Sequence, residues 1–213
     1  MKRGIILLAV ILALVCYVGP AQGAIITIAI EAVVHGVHDP DNHLEGLVNI
    51  GDLISGTYTY DTGTLDSSSS VNVGRYEHYS YPCGFSLSVV GLHFMTDPGN
   101  TNFVIRILDD YLYDDFYWLT SYNNLPLSNG TSVNNIEWVL GDPSETAVSS
   151  IELPVTAPVL DAWEVNYLNI EGPGTRDNIL FQAHVTSAVV IPEPSTILLL
   201  GFGAIALVRK VKK

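Results

Sequence analysis

The chain has 213 residues, with 22 acidic side chains against nine Lys and Arg and a formal net charge of −13. That balance excludes nucleic acid as a partner, because phosphate binding needs clustered Lys and Arg. It also repels anionic lipid and anionic polysaccharide wherever no divalent cation intervenes.

Residues 1–23 read as a targeting segment. Met1-Lys2-Arg3 is basic, Gly4 to Val18 is an apolar run expected to be helical, and Pro20 breaks it. Ala21 and Gly23 then supply small residues for signal peptidase cleavage between Gly23 and Ala24. This is the pattern of a secretory signal peptide, which is removed and takes no part in the fold. Cys16 does not read as a lipidation site, since Val15 precedes it where a small residue is wanted.

Residues 24–191 form the body, a length suited to one domain with a sizeable core. All four lysines lie outside it, at 2, 210, 212 and 213, and its only Lys or Arg residues are Arg75, Arg106 and Arg176. It holds 21 of the 22 acids, so its own net charge is −18. Cys83 is its sole cysteine, so no internal disulfide forms. Placed in Tyr81-Pro82-Cys83-Gly84-Phe85 at the entrance to a strand-like run, it is expected to be a buried small hydrophobe. In an oxidising compartment the alternative is intermolecular pairing.

The body reads as β from end to end. Ile25 to Val34 is rich in β-branched residues, and Ile54 to Tyr60 places Ile54, Tyr58 and Tyr60 on one face. Period-two sets follow at Phe85, Leu87 and Val89; at Phe103, Ile105 and Ile107; and at Ile136, Trp138 and Leu140. Two more are Trp163, Val165 and Tyr167, and Ile179, Phe181, Ala183 and Val185. Alternation of this kind gives each strand one buried and one solvated face, as in antiparallel sheets. Turn-forming clusters such as Asp97-Pro98-Gly99-Asn100 and Gly141-Asp142-Pro143-Ser144 separate the runs. The expected architecture is an all-β antiparallel sandwich or jelly roll. Glu152 to Leu160, carrying Pro154 and Pro158, is expected to be an extended connection and not a helix.

Three polar constellations are candidates for chemistry. His35, His38, Asp39, Asp41 and His43 lie within nine residues, a composition suited to zinc or another transition metal. Their spacing matches no strand or helix register that would converge three ligands, so a solvated acidic loop is the expected reading. Asp109, Asp110, Asp114 and Asp115 are paired carboxylates between two strand-like runs, a set that suits calcium. The Asp-x-Asp-x-Asp-Gly loop signature is missing, so the expectation is no cofactor, with calcium as the alternative. Tyr76, Tyr79, Tyr81, Tyr111, Tyr113 and Tyr117 resemble the aromatic–carboxylate surfaces that bind sugars, although tyrosine is also a common strand residue. Nucleophile-elbow, zincin and phosphate-loop motifs are absent, and no two of the 21 acids stand out as a glycosidase pair.

The chain closes with Pro192-Glu193-Pro194-Ser195-Thr196, an apolar run over 197–208, and the basic stretch Arg209-Lys210-Val211-Lys212-Lys213. As a helix the run spans about 18 Å, short of a bilayer core of about 30 Å. That makes it a weak permanent anchor and suits a signal that is inserted, read and discarded. Motif, order and spacing together resemble the PEP-CTERM sorting domain, the exosortase recognition signal of Gram-negative bacteria. The resemblance covers residues 192–213 and implies transient inner-membrane insertion, with cleavage by an integral-membrane cysteine protease at or near Pro192, Glu193 and Pro194. The basic tail departs slightly from the arginine-rich pattern. Ile54-Ser55-Gly56-Thr57-Tyr58-Thr59-Tyr60-Asp61 and Asn124-Leu125-Pro126-Leu127-Ser128-Asn129-Gly130 more loosely resemble the β-rich ectodomains that precede this signal. That likeness implies a fold and carries no activity.

The expected function is therefore that of an exported, non-enzymatic surface or biofilm-matrix protein, associated with exopolysaccharide. Signal peptidase and exosortase are its expected partners in export. A carbohydrate-binding module, with or without calcium, is the alternative, and a secreted glycan hydrolase is a third reading.

Overall fold

The computed structural model describes residues 23–112, 114–173 and 179–192. The signal-peptide helix expected over residues 1–23 falls almost entirely outside them, and the apolar helix expected over 197–208 does so completely. Within them, regular structure consists of ten strands and one short 3-10 turn, Leu160–Ala162. The strands are β1 (Ile25–Val37), β2 (Leu53–Asp61), β3 (Val73–His78), β4 (Gly84–Val89) and β5 (Leu92–Met95). They continue with β6 (Phe103–Tyr111), β7 (Asp114–Ser121), β8 (Asn135–Asp142), β9 (Val165–Glu171) and β10 (Ile179–Ile191).

All pairings are antiparallel, and the order is β3-β6-β7-β8-β9-β10-β1-β2-β4-β5. The two separate sheets of the expected sandwich are thus one continuous sheet. The reason is β10: the last strand in the chain inserts between β1 and β9 and hydrogen-bonds to both. Strand twist, sharpened by the bulges of β1 at Glu31/Ala32 and Val34/Gly36, curls the sheet so that one face closes on itself.

That enclosed face is the core. Phe85 on β4 meets Phe103 on β6 edge to face at 5.4 Å, Tyr58 on β2 meets Trp138 on β8 at 5.7 Å, and Phe94 on β5 meets Phe181 on β10 at 5.3 Å. The inward residues are those that alternation selects: Ile28, Ile30, Ala32 and Val34; Ile105 and Ile107; Ile136, Trp138 and Leu140; Phe181, Ala183 and Val185. On β2 the inward set includes Gly56, where a Cβ would collide with the Ser86 carbonyl of β4. Only glycine permits that approach.

One face was misassigned by alternation. On β9 the inward apolar residues are Leu168 and Ile170, not Val165 and Tyr167; Asn169 between them is also buried, and Trp163 lies ahead of the strand, packed on the core from the connection. The free edge of β5 does not stay open. Thr96 bridges Asn124, Leu125 N donates to Met95 O (2.9 Å), and a buried chain of hydroxyls links Thr96 Oγ1, Ser121 Oγ (2.7 Å) and Asn124 Oδ1 (2.7 Å). Covering an edge in this way blocks pairing with other chains.

The connection from β8 to β9 is neither helix nor strand over 152–159, as its prolines favour, and then enters the 3-10 turn Leu160–Ala162. Side chains from three strands hold it. Tyr60 Oη donates to Pro154 O (2.6 Å), Tyr76 Oη donates to Ile151 O (2.9 Å), and Asp115 Oδ2 accepts from Val148 N (2.9 Å). Beneath it lies a cavity of about 600 Å³ lined by Ile107, Tyr117 and residues of the connection, Trp163 among them.

Candidate functional site

The two processing positions leave the fold side by side. Ala24 donates its N–H to Thr62 Oγ1 (2.8 Å), which fixes the chain just before β1. At the other terminus Ile191 is the register partner of Thr27, so Pro192 follows directly from the strand paired with β1. Gly23, Ala24 and Pro192 are exposed. β9 pairs with β10 only as far as Ala183, so the strand's last residues are held by β1 on one side. Glu193 and Pro194 lie outside the described residues.

Three of the four expected acidic ligands converge. Asp109, Asp110 and Asp115 each bring a carboxylate oxygen within 4.8 Å of the others, while Asp114 stands outside the group. Burial first, then the charges of Asp110 and Asp115, pushes the Asp109 carboxyl up. Asp115 is fully buried, and both its oxygens are engaged by backbone: Oδ1 accepts from Asp110 N (3.0 Å) and Oδ2 from Val148 N (2.9 Å). The tight β6–β7 hairpin, with Asp110 and Leu112 at positive φ, forces the carboxylates together. In the described contacts Asp115 anchors the β8–β9 connection.

The histidine loop does not assemble a centre. Asp39 caps the turn by accepting from His43 N and Leu44 N (2.7 Å each), and the His43 ring lies 3.8 Å from Asp41. His35, His38 and His43 are not brought together as a ligand group. Among the tyrosines, Tyr76 and Tyr117 are buried and belong to the core, which removes them from any surface. Tyr79, Tyr81 and Tyr111 are exposed, and Tyr113 lies outside the described residues. Cys83 is buried, and burial pushes its thiol up to about 11, away from thiolate reactivity.

A different constellation stands on the outer face of the sheet. Because Phe103, Ile105 and Ile107 point inward, Arg106 points out; by the same alternation so do Arg75, Trp118, Glu137, Tyr167, Asn169 and Gln182. The Arg106 guanidinium lies 5.2 Å from the Trp118 ring centroid and donates to Tyr122 Oη (3.3 Å). Trp118 Nε1 donates to Glu137 Oε2 (2.9 Å), and Gln182 Nε2 donates to Asn169 Oδ1 (2.8 Å). Arg75 is the register partner of Arg106 and binds Glu77 through Nε at 2.6 Å. Glu137, Asn169 and Gln182 are register partners across β8, β9 and β10. Burial pushes the Glu137 carboxyl up, against the Trp118 hydrogen bond that lowers it. In the sequence these residues are scattered over six strands, and the signal for them was the polar half of each alternating run.

A family model, the PEP-CTERM protein-sorting motif, matches residues 190–213. No curated protein and no solved structure matches the chain.

Proposed function

We infer that the body, exported and processed by an exosortase through the PEP-CTERM signal at 190–213, serves at the cell surface or in the extracellular matrix as a structural, exopolysaccharide-associated protein. The sorting motif carries this reading, since it commits the chain to export and to a membrane-embedded processing enzyme. The fold is consistent with it: the body ends at Ile191, and the motif overlaps the last residues of β10. The work of the body is binding and not catalysis. The cavity beneath the β8–β9 connection supports that view, offering Glu152 as its one carboxylate among largely apolar walls.

Epitope tags on both sides of Pro192, expressed in the native host, test the processing step. The tag ahead of Pro192 is expected outside the cell on a product lacking the tag behind it. Mature surface protein that still carries both tags overturns the cleavage.

A further inference from the structure

We propose that the outer-face belt of Arg106, Trp118, Glu137 and Gln182, with Asn169 buried beneath it, binds a neutral polysaccharide along its length. The proposal rests on the matrix reading above and gives it a site.

Charge selects the ligand. The body carries −18, yet both arginines among the described residues, Arg75 and Arg106, stand in register on this one face. Opposite them are Glu77, held by Arg75; Glu137, held by Trp118; and Glu171, held by Asn135. With two arginines against three carboxylates, the belt is a nearly neutral strip on a strongly acidic protein. A polyanion would be repelled by the surroundings, and a polycation would find better places to bind elsewhere. A neutral chain faces neither penalty.

Chemistry narrows it further. Sugar hydroxyls both donate and accept, and the belt presents both functions: guanidinium N–H groups, a carboxylate, then the Gln182 amide. The amides already fix one another through Gln182 Nε2 and Asn169 Oδ1, and Trp118 is fixed through its indole N–H, so little side-chain freedom remains to be lost on binding. The rings of Trp118, Tyr122 and Tyr167 border the strip with rigid apolar surface for the C–H faces of sugar rings. From β6 to β10 the belt crosses five neighbouring strands, about 19 Å at ~4.8 Å per strand, which suits a polymer better than a single sugar.

The test is an oligosaccharide array carrying neutral, amino and acidic glycans, probed with the full chain purified in mild detergent. Binding to neutral glycans is expected, changing less than about twofold between low and high salt. Trp118→Ala is expected to weaken it by about tenfold or more, Trp118→Phe to keep most of it, and Tyr81→Ala, away from the belt, to leave it unchanged. Preference for acidic glycans, a steep loss with salt, or full binding by Trp118→Ala with wild-type thermal stability overturns the belt. So does an array on which no neutral glycan is bound. Surface delivery is scored separately by matrix fractionation in the native host. A chain that reaches the matrix but binds no neutral glycan loses the belt alone, whereas a chain that never leaves the cell loses the matrix reading.

Discussion

His78 shows how a single side chain departs from its sequence neighbourhood. In Val73-Gly74-Arg75-Tyr76-Glu77-His78 the inward positions are glycine, tyrosine and histidine, so no hydrophobic alternation marks β3, and the strand was missed. In the fold His78 stacks on Phe103 at 5.8 Å, its Nδ1 lies 2.9 Å from Thr64 Oγ1, and its Nε2 is buried without a partner. Burial lowers the imidazole from 6.5 to about 4, with Asp61 opposing. The native ring therefore stays neutral where the unfolded one takes a proton. Its contribution is complete above about pH 6.5 and is lost as pH falls from there to about 4, roughly 3 kcal/mol in all. Denaturant unfolding at pH 7 and pH 4.5 should show wild type losing about 2 kcal/mol more than His78→Gln. Equal losses would remove the histidine from the acid response.

At the scale of elements, the β6–β7 hairpin and the β8–β9 connection depend on one another. The run Asp109 to Asp115 reads as an acidic patch, and its use in pinning a distant backbone could not be read from it. Asp115 Oδ2 reaches Val148 N across 33 residues, a pairing that exists only once β7 and β8 are in register. Gly74 serves the same connection, since a Cβ there would strike the Ile151 carbonyl. Asp115→Ala removes the acceptor of two part-buried N–H groups, those of Asp110 and Val148, and should cost about 1–3 kcal/mol by urea unfolding. Limited proteolysis should then cut within 147–163 ahead of the strands. A variant as resistant there as wild type would show that Tyr60 and Tyr76 suffice to hold the connection.

For the whole molecule the decisive strand is the last one made. Without β10 the order separates into β3-β6-β7-β8-β9 and β1-β2-β4-β5, two groups whose named strands do not pair and which meet at the Thr96–Asn124 bridge. A chain ending at Glu171 is accordingly expected to show no cooperative unfolding transition by circular dichroism, while one ending at Ile191 retains it. Cooperative melting of the shorter chain would refute this account of the sheet. Completion of the fold and arrival of the sorting motif thus fall together, because β10 runs into it. The sequence by itself determined the sorting signal that sends the chain to export and the all-β class of the body. Short signals are read as linear patterns, and period-two alternation names inward faces wherever the buried residues are apolar. Strand order, the union of the expected two sheets into one, and the meeting of Arg106, Trp118, Glu137, Asn169 and Gln182 on one outer face were decided only by tertiary structure. Register between strands far apart in the chain is set by which hydrophobic faces close on each other, and polar outward residues carry no periodic signal that says which of them will be neighbours.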